Sequence, residues 1–113
     1  MARPVGEGMA WYQEDPETAS YDIISGSAGI GLTLLYAHEL LGEPALLEIA
    51  DLAGRHLARR GRPGVEGLKW PASEAYPRLM PNFSHGTAGV AYYLARLAQS
   101  TSEDAHLQAA IQG

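Results

Sequence analysis

Apolar residues recur at helical spacing through the first half of the chain. Ile30, Leu34 and Leu41 lie on one side of residues 27–41, and this spacing predicts an α-helix. Residues 42–44 (Gly-Glu-Pro) end that helix and start the next, because proline suits the first turn of a helix. A second stripe predicts a helix over residues 44–60, with apolar positions Leu46, Ile49, Ala50, Ala53 and Leu57.

A glycine-rich segment precedes the first helix and occurs twice. Gly-Ser-Ala-Gly-Ile at residues 26–30 recurs 60 residues later as Gly-Thr-Ala-Gly-Val at 86–90. A second match, at an offset of 59, relates residues 8–11 to residues 67–70, and both segments end in Trp. Because the matches lie far apart in the chain, they indicate an internal repeat. We predict a single fragment, residues 1–113, made of two units at 8–60 and 67–113.

Each unit has an extended piece ending in Trp, a polar loop containing proline, and two helices. This order predicts an all-α protein of tandem α-hairpin repeats. The period is longer than those of TPR and ankyrin repeats and favours part of an α/α toroid, here an incomplete ring. The glycines leave one side of the helix start bare, so that a neighbouring backbone can come close. They lack the lysine of a phosphate-binding loop.

The second unit stops early in its last helix. Gly113 aligns with Ala53, and the first unit continues from there to Arg60. We therefore expect the native protein to continue past Gly113. An incomplete ring exposes apolar faces, so we also expect the fragment to self-associate. Ser102, followed by two acidic residues, has the pattern of a helix N-cap.

Charge and composition limit the classes of binding partner that we expect. The net charge is −5, and the densest group of basic residues, Arg55, Arg59, Arg60 and Arg62, lies at a predicted helix end, where cations suit the dipole. We therefore expect no nucleic-acid partner. The chain has no cysteine, hence no disulfide and no thiolate metal ligand. The longest uncharged stretch, 23–37, is too short to span a bilayer, and nothing resembles a signal peptide. We expect a cytoplasmic protein without a membrane span.

Two segments resemble the lanthionine synthetase C-like family. They are Asp-Ile-Ile-Ser-Gly-Ser-Ala-Gly-Ile-Gly at residues 22–31 and Pro-Asn-Phe-Ser-His-Gly-Thr-Ala-Gly at 81–89. The family carries D-x-x-x-G-x-A-G-I-G and H-G-x-x-G segments at the starts of its inner helices. The resemblance covers both units. It implies an α/α toroid and a zinc enzyme that adds a cysteine thiol to a dehydrated Ser or Thr of a peptide, closing a thioether ring. Some relatives instead add glutathione to dehydrated residues.

The resemblance also implies roles for two residues. Asp22 matches the aspartate of the first segment, implied in proton transfer or in positioning a catalytic group. His85 matches the histidine of the second, implied in protonating the enolate or holding the substrate. The family's zinc ligands are two Cys and one His in later repeats. Because this chain lacks cysteine, we expect no metal and no cofactor in it, and no ring closure by it alone. Zinc is implied only for the intact family protein.

Other interpretations of these residues stay open. Asp22 aligns with Asn82, and either side chain could cap a helix or form an Asx-turn. His85 aligns with Ser25, so the repeat does not require a histidine there. A non-catalytic peptide- or protein-binding repeat module is one alternative function. Another is a different α/α toroid enzyme acting on sugars, which would need two carboxylates facing one cavity.

The remaining aromatic and histidine residues favour structural roles. Trp11 and Trp70 occupy equivalent places, and we interpret them as packing anchors for the loops. No His-Glu-x-x-His pattern occurs, so we predict that the other histidines are surface or edge residues rather than metal ligands. They are His38, His56 and His106.

Overall fold

The computed structural model describes residues 2–5, 8–11, 18–64, 67–102 and 104–113. Four helices lie within this part of the chain: α1 (Ser27–Leu41), α2 (Pro44–Arg60), α3 (Thr87–Thr101) and α4 (Asp104–Gln112). The bounds predicted for the first two are confirmed. Helix α1 packs against α2 and α3 packs against α4, while α3 also contacts both α1 and α2. These contacts of α3 with α1 and α2 therefore join the two halves of the chain.

The prediction of an all-α protein is wrong, because the chain is mixed α/β. Six short strands in the described residues form three antiparallel hairpins. The pairs are β1 (Ala2–Val5) with β2 (Gly8–Trp11), β3 (Arg62–Gly64) with β4 (Gly67–Lys69), and β5 (Pro71–Ser73) with β6 (Tyr76–Leu79). The backbone amides and carbonyls of an extended segment have no hydrogen-bond partners within that segment. A neighbouring strand, joined to it in a hairpin, supplies those partners. The extended pieces predicted before each Trp form β2 and β4, but neither their pairing into sheets nor their partner strands were predicted.

The first two hairpins are alike in register and in packing. Arg3 lies opposite Ala10 in the first hairpin, and Arg62 lies opposite Lys69 in the second. The residue numbers of both partners therefore shift by 59 from one hairpin to the other. A Cβ atom at Gly8 would lie 2.9 Å from the carbonyl oxygen of Leu52, and one at Gly67 would lie 2.0 Å from that of Gln112. Each hairpin thus rests on the second helix of its own half. The bounds of the two predicted units stay a prediction.

The third hairpin, β5–β6, occupies the segment predicted as a polar loop after Trp70. Residues 12–17, most of the corresponding predicted loop after Trp11, lie outside the described residues. An isolated bridge joins Ser20 to Ser73, and the backbone N–H of Tyr21 donates to the carbonyl of Ala72 at 2.7 Å. The hairpin is therefore fastened to the chain just before α1.

The core lies between the helices, with Trp70 at its edge. Trp70 is fully buried, and its indole N–H donates to the carbonyl of Leu57 at 2.7 Å, which confirms the packing role predicted for it. Trp11 is only half-buried. The Tyr93 hydroxyl donates to the carbonyl of Ala50 at 2.5 Å, and its ring packs so closely on Gly31 that any Cβ there would overlap it. The branched aliphatic residues of the buried core are Leu35, Leu57, Val90, Leu94 and Leu97.

Two of the histidines predicted at the surface are buried. His56 is 5% exposed and His106 is 1% exposed, so that prediction is wrong for both. The packing of α4 against α2 encloses His106, whose Nε2 lies 2.7 Å from Oδ1 of Asp51. His38 is half-buried near the end of α1, with Nδ1 3.1 Å from the carbonyl oxygen of Glu43.

Ser102 ends a helix instead of starting one. It is the C-cap of α3, with φ of 58°, and its N–H donates to the carbonyl of Ala98. Gly42 has the same place after α1, with φ of 69° and its N–H on the carbonyl of His38. The predicted N-cap role of Ser102 is therefore wrong, and residue 103, part of that prediction, lies outside the described residues.

Candidate functional site

The loops before α1 and α3 share one backbone conformation. In the first, Oδ1 of Asp22 accepts the N–H of Ser25 at 2.9 Å; in the second, Oδ1 of Asn82 accepts the N–H of His85 at 3.1 Å. The first helical N–H donates to a carbonyl seven residues earlier in both, at 2.9 Å. In both loops the Asx side chain thus closes a turn that leads directly into a helix. We call it an Asx-turn, although it closes on the N–H of the third residue along the chain rather than the second.

Glycines at the helix starts let these loops fold back over the helix. A Cβ atom at Gly29 would lie 1.9 Å from the carbonyl oxygen of Ile23, and one at Gly89 would lie 2.1 Å from that of Phe83. No side chain fits at such distances, so the expected close approach of a backbone is confirmed. The Gly-x-Ala-Gly segments hold each Asx-turn directly above its helix.

Asp22 and His85, the two residues predicted for the site, are in direct contact. The imidazole Nδ1 of His85 donates to Oδ2 of Asp22 across 2.6 Å. Asp22 is 2% exposed, whereas the His85 side chain is 48% exposed. The N–H of Ile24 donates to the carbonyl of Ser84 at 3.3 Å, so the two loops are also joined through their backbones. The fold brings together two residues that lie 63 positions apart.

The comparison with Asn82 separates what Asp22 does for the turn from what it does for His85. An Asx-turn needs a single side-chain oxygen, and an asparagine supplies it in the second loop. In the first loop Oδ1 has that role and also accepts the Ser25 hydroxyl at 3.2 Å. The second carboxylate oxygen of Asp22, Oδ2, is the one that bonds to the imidazole of His85. The capping role is therefore real, but it does not explain why the residue is a carboxylate.

A pocket of about 340 Å³ lies beside this pair. The loops before α1 and α3 and the β5–β6 hairpin form its sides, and Asp22 is the one carboxylate among the described residues that line it. An enzyme that hydrolyses sugars with two facing carboxylates is not favoured by this lining. Sequence reasoning missed the hairpin side, since those residues were assigned to a loop. Besides Asp22 and His85, the lining consists of Ser20, Ser25, Ala72, Ser73, Tyr76 and Met80.

Behind the pocket, Glu74 is the centre of a charged cluster. It accepts the Tyr21 hydroxyl at 2.9 Å and an Arg60 guanidinium N–H at 2.9 Å, and it also pairs with Arg62. Burial alone would raise the pKa of Glu74, but hydrogen bonds from Tyr21 and Arg62 and the charges of Arg60 and Arg62 lower it below its ordinary value. Burial, opposed by the hydrogen bond from Arg60, raises the pKa of Tyr21 to about 12, so its hydroxyl stays a donor.

The described residues do not fit a zinc site. No group of three or more His, Cys, Asp or Glu side chains in that part of the chain is placed to hold a metal ion. The sequence contains no cysteine for a thiolate ligand. The donor set required by the implied zinc chemistry is therefore not found at the Asp22–His85 pair. Among the helices described, none combines the length and the hydrophobicity needed to cross a membrane.

Comparison with known proteins matches the chain to one family model. The model of the family described as lanthionine synthetase C-like protein matches residues 9–112. None of the curated proteins matches the chain. The matched residues include both Asx-turns, the Asp22–His85 pair and all four helices described here. Since the match extends over nearly all of the sequence, the chain belongs to the lanthionine synthetase C-like family.

Proposed function

We propose that this chain supplies the proton-transfer pair of an enzyme that forms thioethers in peptides. The reaction adds a cysteine thiol to a dehydrated Ser or Thr, as the family resemblance implies. The observation that carries the proposal is the 2.6 Å hydrogen bond between the buried carboxylate of Asp22 and the half-exposed imidazole of His85. A carboxylate that holds a histidine in one orientation is a common arrangement for general acid–base catalysis.

The reaction requires one proton to be delivered to carbon. The thiol sulfur forms a bond to Cβ of the dehydrated residue, and the electrons of the Cα–Cβ double bond move onto Cα and the adjacent carbonyl as an enolate. A proton then bonds to Cα, replacing the one lost by the thiol. We assign this delivery to Nε2 of protonated His85. Asp22 keeps the ring in place through Nδ1 and stabilises the imidazolium.

The surroundings of the pair support a peptide substrate. The adjacent pocket is about 340 Å³ and is lined by three serines and a tyrosine as well as by Ala72 and Met80. Hydroxyl groups beside apolar surface can bind the amide groups and the short side chains of a peptide segment. The side of the pocket formed by β5–β6 would contact residues next to the dehydrated one.

The proposal gives this chain no metal. Zinc in the intact family protein would lower the pKa of the attacking thiol, but the described residues lack a donor set for it. We therefore expect the isolated chain to direct the proton to one face of the enolate without accelerating thiol ionisation. On this basis it should not close thioether rings efficiently by itself at neutral pH.

The stereochemistry at Cα tests the proposal without any need for a metal. A short peptide of L-residues with one internal dehydroalanine is treated with excess small thiol, with and without the chain in stoichiometric excess. Addition free in solution protonates both faces of the enolate, whereas a placed acid favours one. We expect the chain to shift the ratio of the two diastereomers, and His85→Gln to restore the ratio seen without protein. His38→Gln is the matched control. It also removes a histidine, but His38 lies near the C-terminal end of α1, whereas Asp22 and His85 precede the starts of α1 and α3.

Peptide binding is followed in the same samples by NMR shifts of the chain. If the peptide binds and the diastereomer ratio does not change, the chain is a binding module and the proton-transfer assignment is wrong. If the ratio shifts equally with wild type and His85→Gln, a residue other than His85 delivers the proton.

A further inference from the structure

Glu74 lies at the turn of the β5–β6 hairpin and connects that hairpin to three other parts of the chain. Its partners are Tyr21 before α1, Arg60 at the end of α2 and Arg62 at the start of β3. The Glu74 side chain is 22% exposed, and Arg60 and Arg62 are 32% and 35% exposed. Several charges that share one acceptor and are partly shielded from water hold their geometry better than an isolated surface pair.

Tyr21 connects this cluster to the Asp22–His85 pair. It is 1% exposed and directly precedes Asp22 in the chain. Its hydroxyl donates to Glu74 and accepts an N–H of Arg60 at 3.0 Å. Its backbone is fixed at both ends, because its N–H donates to Ala72 at 2.7 Å and its carbonyl accepts the N–H of Ala28 at 3.1 Å. The position of Tyr21 therefore fixes where the backbone of Asp22 begins.

The same cluster fixes the opposite side of the pocket. Glu74 follows Ser73, which lines the pocket and pairs with Ser20. Tyr76, two residues beyond Glu74, lines the pocket as well, and its N–H donates to the Ser73 hydroxyl at 3.2 Å. One carboxylate thus holds both the segment that leads to Asp22 and the hairpin that faces it.

We propose that Glu74 is a positioning residue for the Asp22–His85 pair. It acts through the Tyr21 hydroxyl, and it keeps Oδ2 of Asp22 within hydrogen-bonding distance of the imidazole. The proposal deepens the proposed function and rests on it, since it concerns the same proton-transfer pair. Its physical basis is the steep dependence of a hydrogen bond on distance and angle, so that a small displacement of Asp22 weakens a 2.6 Å contact markedly.

The tautomer of His85 reports this geometry without an activity assay. When Nδ1 donates to a carboxylate, the proton of the neutral ring resides on Nδ1, and a weaker bond lets the Nε2–H form increase. Nitrogen-15 NMR of the ring distinguishes the two forms, and the spectrum of His85→Gln identifies the signals of His85. Tyr21→Phe removes only the hydroxyl, and Glu74→Gln removes the charge at nearly constant size.

Glu39→Gln is the matched control. Glu39 also pairs with an arginine, Arg96 at 3.1 Å, but that pair joins the C-terminal halves of α1 and α3 and does not line the pocket. Circular dichroism and urea titration establish that each variant is folded under the conditions of the NMR measurement. If Glu74→Gln does not fold, Tyr21→Phe carries the test, because it leaves both arginine–Glu74 ion pairs intact.

We expect the ratio of Nε2–H to Nδ1–H in His85 to rise about threefold or more in Tyr21→Phe and Glu74→Gln, and to stay unchanged in Glu39→Gln. An unchanged ratio in the folded variants would overturn the positioning role. That result would leave the proposed function standing if wild-type His85 still carries its proton on Nδ1. If wild-type His85 is already an Nε2–H tautomer, the pair itself is wrong, and both proposals fail together.

Discussion

Asp22 and Asn82 occupy equivalent positions, and each accepts the backbone N–H of the residue three places later through Oδ1. The Asx-turn is therefore satisfied by an amide as well as by a carboxylate. At Asp22 the second oxygen bonds to the imidazole of His85, which lies in the other loop. This difference between two otherwise similar loops is what points to chemistry at Asp22.

Replacing Asp22 by Asn should leave stability nearly unchanged. The amide oxygen can still accept the N–H of Ser25, as Asn82 does in the second loop. We expect the free energy of unfolding to change by less than about 1 kcal/mol in urea titrations. Asp22→Ala should lose about 1–3 kcal/mol, because it leaves the turn without an acceptor. Equal losses for Asn and Ala would show that the charge is needed for folding.

The ends of α1 and α3 offer a matched pair of opposite substitutions. Gly42 and Ser102 both adopt the left-handed conformation, with φ of 69° and 58°. A Cβ at Gly42 would contact nothing within 4 Å, so Gly42→Ser tests the backbone alone. We expect Gly42→Ser to destabilise the fold by about 1 kcal/mol and Ser102→Gly to stabilise it by a similar amount. Thermal melts of both variants check this, and shifts in the same direction would contradict it.

The Glu74 cluster should make the free energy of unfolding depend on pH. The pKa of Glu74 is lowered in the folded chain, below its ordinary 4.5. A carboxyl group with a lowered pKa stabilises the fold above its unfolded pKa, and the contribution is lost as the pH falls through the folded pKa. We expect the stability difference between wild type and Glu74→Gln to be constant near neutral pH and to shrink below about pH 4.5.

Urea titrations of both proteins from neutral to about pH 3 measure that difference. Glu39→Gln is again the control, since Glu39 is 48% exposed and its pairing with Arg96 should contribute little. A difference that grows as the pH falls would mean that Glu74 is held in its neutral form.

Exposed apolar side chains at the end of α1 and on α4 are the basis for expecting self-association. Leu40 is 86% exposed, and Leu41 and Ile111 are each 69% exposed. We expect the average mass in sedimentation equilibrium to rise with concentration, and Leu40→Lys with Leu41→Lys to reduce that rise. Thr33→Lys, on an exposed position of the same helix, is the control. A chain that stays monomeric at all concentrations would contradict the expectation.

Local spacing was enough to predict α1 and α2, because an apolar stripe and a Gly-Glu-Pro stop are properties of neighbouring residues. The hairpins were missed since their strands are short and contain Pro or Gly, residues with low strand propensity. The buried His106 was missed because its enclosure depends on how α4 packs against α2.

Part of the candidate site was also predicted from the sequence, and part was not. The family resemblance pointed to Asp22 and His85, and the fold places them in contact. The Tyr21–Glu74 contact joins residues 53 positions apart and involves a hairpin that was not expected. No local signal marks Glu74 as different from any other surface glutamate, so this part of the site became visible only in three dimensions.

The most direct test of the account is the nitrogen-15 spectrum of the His85 ring in wild type and in Asp22→Asn. In wild type we expect the neutral ring to carry its proton on Nδ1, donating to Oδ2 of Asp22. In Asp22→Asn the amide oxygen is taken by Ser25, so the amide N–H₂ faces His85 and should move the ring proton to Nε2. A wild-type ring that already carries its proton on Nε2, or one that does not respond to Asp22→Asn, would contradict the claim that Asp22 holds His85 for proton transfer.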